Sequence, residues 1–261
     1  MSMKLNVKAV DLEFDEEDRK LFADGKEIPF STRKVSEMKD VLFNREFINS
    51  KNKNDIIYRM YRAAGVAKNA TVFAAHNIRY DVTVIENYDL GGEFTKTLGH
   101  YHPLVEDGLA YPELYEIISG EAVYLLQKRN ENGSFDLELV HAKAGDKVIM
   151  PPNYGHFSIN VGDGLLIEAN LVNSTFDSDY KSVQKMGGGA LFLLRNGNIV
   201  VNKNYKETSL KHSEADKIPF LDYSKSIYDE YIAHPEHFIF LNKPEFLLWK
   251  HDSWDIESQD F

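Results

Sequence analysis

A succession of short β-type runs between residues 70 and 175 constrains the fold of this chain more than any other feature. The runs are rich in β-branched, aromatic and aliphatic residues, and turn sequences such as NENGS, AKAGD and NVGDG separate them. They read YDVTVIEN, LYEIISG, EAVYLLQKR, FDLELVHA, DKVIMPP, HFSINVG and LLIEANLV. Many short strands at regular spacing, joined by tight turns, predict an antiparallel sandwich or barrel.

The segments on either side of these runs have a different residue pattern. In the N-terminal part, the apolar residues of NDIIYRMYRAAG recur near helical spacing, with Asp55 placed to cap a helix and Gly65 to end it. After the strand-rich part, ALFLLRNGNIVVN predicts a hairpin that turns at Asn196-Gly197. The tail from 218 to 250 is aromatic-rich, and SIYDEYIAHPEHF within it predicts a helix interrupted by proline.

These sequence patterns predict one barrel with extensions at both ends. We expect residues 1–68 to be an N-terminal extension that packs on the barrel, residues 69–182 to be the barrel with its site, and residues 183–261 to be a C-terminal hairpin and helical extension. The sequence has no internal repeat and no low-complexity linker. The expected fold is therefore mainly β, with helical N- and C-terminal extensions.

Composition excludes several classes of function. The chain has no cysteine, so disulfides, thiolate nucleophiles and cysteine-ligated metals are excluded. The 41 acidic residues outnumber 30 lysines and arginines, which gives a net charge of −11, and no basic run follows a pattern suited to phosphate backbones. The sequence starts without an apolar signal region and lacks the ~20 apolar residues of a membrane helix. We expect a cytoplasmic protein that binds neither nucleic acid nor membrane.

The stretch TLGHYHP carries two histidines one residue apart, His100 and His102. On an extended strand such a pair projects from one face. Glu113 begins the next strand-like run, and His156 follows the turn PPNYG. Three imidazoles and one carboxylate suit a divalent transition metal such as iron, manganese, nickel or zinc. The sequence therefore predicts a metal site made of these four residues.

The same residues resemble the two sequence motifs of the cupins. The first motif is matched by His100, His102, Glu113 and Gly120, and the second by Gly145, Pro151, His156 and Asn160. More narrowly, EFTKTLGHYHP, YPELYEIISGEA and PPNYGHFSINVGD resemble the cupin-type, metal-dependent glucose-6-phosphate isomerases. The resemblance implies a cupin double-stranded β-helix, or jelly-roll barrel, and a homodimer of such chains.

The resemblance also implies a set of substrate contacts. Hydroxyls, tyrosines and a glycine amide would hold the sugar phosphate, at Thr83, Thr97, Gly99, Tyr115 and Tyr180. On a regular strand Thr97 would face away from the histidines, unless Gly99 permits a bulge. Val172 and Ser178 stand where shorter members of the family carry a tyrosine and a histidine, so other residues must supply those contacts.

The function that the resemblance implies is interconversion of glucose 6-phosphate and fructose 6-phosphate, a step of glycolysis and gluconeogenesis. One divalent metal per subunit, with Fe²⁺ or Mn²⁺ favoured over Ni²⁺ or Zn²⁺, would serve as cofactor. Glu113, assisted by Tyr115, is the expected proton carrier, and a hydride shift is the alternative. Glu168 is expected to be an outward-facing or rim carboxylate, and Lys96 a solvated lysine.

Two other functions remain open at this point. A cupin oxygenase would use a similar iron site to bind oxygen, and a sugar-binding or sensor cupin would have no catalytic step. An oxygenase has no use for threonines and a glycine amide around the metal, which favours the isomerase. Related hexose phosphates such as mannose 6-phosphate are alternative substrates, with glucose 6-phosphate preferred.

Overall fold

The computed structural model describes residues 2–49, 52–105, 108–206, 208–250 and 253–256. Strands dominate it. Those of the N-terminal part are β1 (Ser2–Lys4), β2 (Leu12–Asp15), β3 (Lys20–Ala23), β4 (Lys26–Glu27), β5 (Ser31–Lys34) and β6 (Ile56–Tyr61). Those of the middle part are β7 (Ile78–Ile85), β8 (Glu113–Ser119), β9 (Glu121–Arg129), β10 (Phe135–Lys143), β11 (Lys147–Met150), β12 (Gly155–Asn160) and β13 (Leu166–Asn173).

The C-terminal part adds two hairpins and one longer strand. They are β14 (Leu191–Leu193), β15 (Ile199–Val201), β16 (Thr208–Glu214), β17 (Leu247–Lys250) and β18 (Ser253–Ile256). The α-helices are short: α1 (Ala70–Ala75), α2 (Lys181–Lys185) and α3 (Ile227–Ala233). Short 3₁₀ helices cover Val35–Met38, Arg45–Asn49, Val66–Asn69, Pro235–Leu241 and Pro244–Phe246. In the described ranges no helix is long and apolar enough to span a bilayer.

Two mainly antiparallel sheets face each other and form the barrel. One has the strand order β11-β8-β13-β7-β6-β5, and the other has the order β12-β9-β10-β16. Strand β16 pairs with β10 in parallel, and all other pairs in the two sheets are antiparallel. The seven strands predicted between residues 70 and 175 are all present, and the predicted mainly β jelly-roll architecture is confirmed.

Strand β13, in the middle of the six-stranded sheet, is buried on both faces, because apolar layers lie on each side. In β13, Ile167, Ala169 and Leu171 point to an outer layer shared with β2 and β3 and with the aromatic side chains of α3. The intervening residues of β13 point to the barrel interior, and every residue of the strand is buried. Side chains of one strand alternate between faces, so every second residue of β13 points into the barrel interior.

The N-terminal part differs from the expectation of a helical extension. The run predicted to be a helix between Asp55 and Gly65 contains strand β6, which pairs with β7 in the barrel sheet. Strands β1 to β4 form a separate four-stranded sheet. Short apolar runs fit helical and strand periodicity equally well, and pairing with β7 decides in favour of the strand.

The C-terminal part follows its prediction more closely. The hairpin of β14 and β15 turns at Asn196 and Gly197, where the glycine has φ +85°. Helix α3 begins after Ser226, whose hydroxyl accepts a hydrogen bond from the Asp229 amide at 3.0 Å. Strands from both flanking segments, β5, β6 and β16, join the barrel sheets. The division at residues 68 and 182 stays a prediction.

Candidate active site

The barrel interior brings together the four residues predicted to bind a metal. His100 and His102 come from the connection between β7 and β8, Glu113 begins β8, and His156 lies on β12. Nε2 of His100 lies 3.1 Å from Nε2 of His102, and Oε2 of Glu113 lies 3.4 Å from Nε2 of His102 and 3.2 Å from Nε2 of His156. One potential ligand atom from each residue lies within 4.8 Å of all the others. The side chains therefore converge on one point.

The histidine segment reaches this point without forming a regular strand. It runs beside β12 through isolated bridges, and the amide of His156 donates to the carbonyl of His100 at 3.0 Å. Gly99 interrupts the extended path with φ +75°, and a Cβ at this position would lie 2.0 Å from Cε1 of Phe157. Gly99, where the sequence allowed a bulge, breaks the regular strand. It turns Thr97 and both histidines toward the same cavity.

The orientation of His102 is fixed by the backbone. Its Nδ1 lies 2.8 Å from the carbonyl oxygen of Tyr111. A carbonyl can only accept, so Nδ1 carries the proton and Nε2 presents its lone pair to the other ligands. This arrangement is typical of metal-binding histidines.

Several polar atoms of the cluster are buried without a hydrogen bond in the part of the chain that the structure describes. They are Oε2 of Glu113 and both ring nitrogens of His156. Burial of such atoms without a partner costs free energy. A divalent cation would satisfy the oxygen and one nitrogen at once, so the residues present fit a metal.

Electrostatics of the cluster favour the same protonation states as metal binding. Burial alone would raise the pKa of Glu113, but the adjacent imidazoles of His102 and His156 hold that pKa well below its ordinary value. Burial, together with the neighbouring imidazoles, lowers the pKa of His100 well below its ordinary value. Burial also lowers the pKa of His156. The carboxylate form of Glu113 and the neutral forms of His100 and His156 are therefore favoured, and these are the forms that bind a cation.

All five residues expected to contact substrate line the cavity beside this cluster. They are Thr83, Thr97, Gly99, Tyr115 and Tyr180. The Tyr180 ring lies 5.2 Å from that of His100, and the Tyr115 ring lies 5.9 Å from that of His156. Burial raises the pKa of Tyr115 well above its ordinary value, so its phenol keeps its proton. Val172 and Ser178 also line the cavity.

The loop between His102 and Glu113 lies at the rim of the cavity, in the parts that the structure describes. The Ala110 amide donates to Oδ1 of Asn153 at 2.7 Å. The Tyr111 ring stacks on Phe176 with centroids 4.9 Å apart and planes 13° apart, and Phe176 lies 4.6 Å from the His102 ring. Aromatic contacts thus close one side of the site.

The structure places residues in the cavity that the sequence did not indicate. Glu168 is only 1% exposed and lines the cavity, so its expected place on the outside is wrong. Its Oε2 accepts a hydrogen bond of 2.9 Å from the Tyr124 hydroxyl, and burial raises its pKa to about 7. Asn170, Arg62 and Arg79 line the cavity as well. For Arg79 on β7 and for Glu168 and Asn170 on β13, alternation could have revealed the position only after the inner face of each strand was known.

Lys96 also differs from its expected solvated state. It is 2% exposed, forms an ion pair with Glu93, and donates from Nζ to the carbonyl of Val41 at 2.8 Å. The lysine is therefore used by the fold and does not line the cavity.

Comparison with known proteins identifies the family. A family model described as glucose-6-phosphate isomerase (GPI) matches residues 32–209, a range that includes all four clustered residues. Glucose-6-phosphate isomerase of Thermococcus litoralis is 26% identical over 178 residues, which are 67% of this chain and 86% of that protein. The enzyme of the same name from Pyrococcus furiosus is 24% identical over 176 residues, 67% of this chain and 86% of that protein.

Among solved structures, an oxalate decarboxylase of Bacillus subtilis is 20% identical to this chain with a TM-score of 0.32. The matched region is 45% of this chain and 26% of the decarboxylase chain. A likeness of that size has no bearing on function. The match to the family model does identify a family, because it extends over more than half of the chain and contains the whole histidine and glutamate cluster. The chain belongs to the glucose-6-phosphate isomerase (GPI) family.

Proposed function

We propose that the protein is a metal-dependent aldose–ketose isomerase that interconverts glucose 6-phosphate and fructose 6-phosphate. The observation that carries this proposal is the convergence of His100, His102, Glu113 and His156 within 4.8 Å, in a chain of the isomerase family. Buried atoms without hydrogen-bond partners in that cluster support a bound cation.

These four residues would hold one divalent transition metal, with Fe²⁺ or Mn²⁺ favoured and Ni²⁺ or Zn²⁺ as alternatives. Three neutral imidazoles and one carboxylate supply a ligand charge of only −1. The bound ion would act as a Lewis acid on the oxygens of the two reacting sugar carbons.

The remaining cavity residues bind and orient the sugar phosphate. Thr83, Thr97 and Gly99 line one part of the cavity, and Tyr115 and Tyr180 line another. The phenol of Tyr115 keeps its proton and donates a hydrogen bond to a sugar oxygen. Hydroxyl groups of this kind fix the sugar close to Glu113 without adding charge.

Isomerisation moves one hydrogen between carbon 2 and carbon 1 of the sugar, and one proton between the oxygens of the same two carbons. In our proposal the Glu113 carboxylate takes the proton from one carbon and returns it to the other. A hydride shift between the two carbons is the alternative, in which no side chain carries the hydrogen. Turnover in D₂O separates the two, because proton transfer through Glu113 incorporates solvent deuterium at carbon 2 or carbon 1, and a hydride shift does not.

A coupled assay of fructose 6-phosphate conversion tests the proposed activity. Chelator-stripped protein should be inactive, and addition of iron, manganese, nickel or zinc should restore turnover in the wild type. His102→Ala and Glu113→Gln should lose it. His141→Ala, at an exposed histidine, is the matched control and should retain full activity. Mannose 6-phosphate, assayed in parallel, tests the preference for the glucose epimer.

The outcomes of this assay distinguish the alternatives. If the metal binds through these four residues but no hexose phosphate is converted, the isomerase proposal is wrong. Oxygen consumption would then point to an oxygenase, and sugar binding without turnover to a sensor.

The proposal includes a homodimer that acts in the cytoplasm on a small-molecule substrate, without nucleic acid or membrane. A net charge of −11 supports the exclusion of nucleic acid, because a phosphate backbone would be repelled. Light scattering on purified protein tests the dimer, since a monomeric mass at working concentration would contradict it.

A further inference from the structure

Three side chains that can bind a metal lie together on the C-terminal segment, away from the barrel cavity. His234 is the residue that follows helix α3, and Glu236 and His237 belong to the 3₁₀ helix Pro235–Leu241. One potential ligand atom from each residue lies within 4.8 Å of the other two. We call these three residues the C-terminal cluster. None of them lines the cavity, and all lie beyond residue 209, where the match to the family model ends.

The spacing of two ligand atoms in the C-terminal cluster fits a tetrahedral ion. Nδ1 of His234 lies 3.3 Å from Oε1 of Glu236. With bonds of about 2.0–2.1 Å, two ligand atoms of a tetrahedral zinc ion lie roughly 3.3–3.4 Å apart. The rings of His234 and His237 have centroids 5.0 Å apart and planes 17° apart. The His237 side chain is 40% exposed, so its ring can rotate to bring a nitrogen to the same ion.

Two buried polar atoms beside the cluster lack a hydrogen bond among the residues that the structure describes. They are Nδ1 of His237 and Oε2 of Glu230, a residue of α3 that is 3% exposed. Oε1 of Glu230 lies 3.9 Å from Nδ1 of His237, which is too far for a hydrogen bond. A histidine that binds a cation through one ring nitrogen commonly donates its other N–H to a carboxylate. Glu230 is therefore placed to orient the His237 ring in a metal-bound cluster.

The charges around the cluster favour a cation. Glu230 and Glu236 carry two negative charges, and Lys225, whose Nζ lies 3.4 Å from Oε2 of Glu230, carries one positive charge. The neutral imidazoles of His234 and His237 add none, so one negative charge remains among these groups. Imidazoles together with a carboxylate suit zinc and similar transition metals, whereas calcium and magnesium prefer oxygen ligands alone.

We propose that His234, Glu236 and His237 form a second, structural metal site that binds Zn²⁺ or a similar transition-metal ion, with water completing its coordination. The site is independent of the proposed isomerase activity. The segment that carries it packs on the outer layer of the six-stranded sheet through Tyr231 and Phe238. A bound ion joins the end of α3 to the 3₁₀ helix, and it stabilises this packing because it binds the folded segment and not the unfolded one.

A simple surface ion pair makes a different prediction. His234 and Glu236 would then contact only each other, and an exposed pair of this kind contributes little to stability. In that case loss of His237 changes neither the metal content of the protein nor its response to zinc.

Equilibrium dialysis of the whole, chelator-stripped chain against micromolar zinc, followed by elemental analysis, tests the site. His237→Ala should bind one zinc ion fewer per chain than the wild type, whether or not the barrel site is occupied. Its affinity for the second ion should fall about tenfold or more. His234→Ala should show the same loss. His141→Ala, at an exposed histidine, is the matched control and should bind as much zinc as the wild type.

Thermal unfolding gives a second readout that does not depend on catalysis. Zinc at about ten times its Kd should raise the Tm of His102→Ala, in which the barrel cluster is incomplete, by about 3–6 °C. The double variant His102→Ala/His237→Ala should not respond.

Equal zinc content in His237→Ala and the wild type would overturn the second site. So would equal responses of Tm in the single and double variants, or a second zinc ion that binds only at millimolar concentration. If His237→Ala does not fold, His237→Gln replaces it in both measurements. Loss of the second zinc ion in a protein that converts no hexose phosphate would support this site and overturn the proposed function alone.

Discussion

Nδ2 of Asn170 donates a hydrogen bond of 2.6 Å to Oε1 of Glu113. Asn170 lies on β13 and Glu113 on the adjacent strand β8, and both side chains are buried. The amide occupies one carboxylate oxygen, so the other, Oε2, faces the imidazoles of His102 and His156. This contact fixes which oxygen is presented to a metal.

Replacement of Asn170 should therefore weaken metal binding. In Asn170→Ala, Glu113 loses the donor that orients it, and we expect a ten- to hundredfold loss of metal affinity, as is typical for residues that orient ligands. Competition with a chromogenic chelator measures the effect. Asn202→Ala is the matched control, since Asn202 is a buried asparagine that bonds the carbonyls of Met186 and Gly189 away from the site. Equal metal affinity in both variants would contradict an orienting role for Asn170.

Gly99 should tolerate no side chain. Gly99→Ala places a methyl group 2.0 Å from the Phe157 ring at φ +75°, so the variant combines a steric clash with an unfavourable backbone conformation. We expect the free energy of unfolding to fall by about 2–5 kcal/mol. Gly197→Ala has φ +85° but no atom within 4 Å of the new methyl group. It should cost only the backbone contribution, about 1–2 kcal/mol. Urea denaturation of both variants makes the comparison, and equal losses would refute the clash.

Glu168 should make stability depend on pH. Burial raises its pKa from 4.5 to about 7. Between these values the folded protein holds a proton that the unfolded chain has released, so the free energy of unfolding decreases as pH rises from about 4.5 to 7. Glu168→Gln removes this contribution, and the variant should gain stability relative to the wild type over that range, by at most about 3 kcal/mol.

Urea denaturation of metal-free protein at pH 5 and pH 8 measures this change. Glu121→Gln, at an exposed carboxyl, should follow the wild type at both values. A stability difference between Glu168→Gln and the wild type that does not change with pH would show that Glu168 has no raised pKa.

Lys147 should attach the C-terminal segment to the barrel. Its Nζ donates to the carbonyl oxygens of Lys225 at 2.8 Å and Asp222 at 3.2 Å, and lies 4.5 Å from the centre of the Tyr223 ring. Lys147→Met removes these bonds, and we expect a loss of about 1–3 kcal/mol in stability and faster proteolysis near residue 222. Lys143→Met, at an exposed lysine, is the control. Proteolysis at the same rate in both variants would contradict this role.

Much of the barrel followed from local sequence patterns. The seven runs between residues 70 and 175 are strands, and Asn196-Gly197 forms its predicted turn, because turn residues and strand periodicity act over a few positions. The misplaced helix around Tyr58 shows where such patterns fail. Tyr58 and Met60 line the cavity from strand β6, and Arg62 lines it directly after the strand, but the same residues fit a helical stripe until a partner strand is known.

The sequence by itself determined the kind of site this protein can have. It has no cysteine, and it carries the His-x-His pair with a later glutamate and histidine, so nitrogen and oxygen ligands were the available set. The tertiary structure decided which other polar residues join them. Strand β13 alternates polar and apolar residues from Ile167 to Leu171, but it is buried on both faces, so the alternation alone does not show which face lies in the cavity. Glu168 and Asn170 face the cavity because of the register with β7 and β8. That register depends on contacts between segments far apart in the chain.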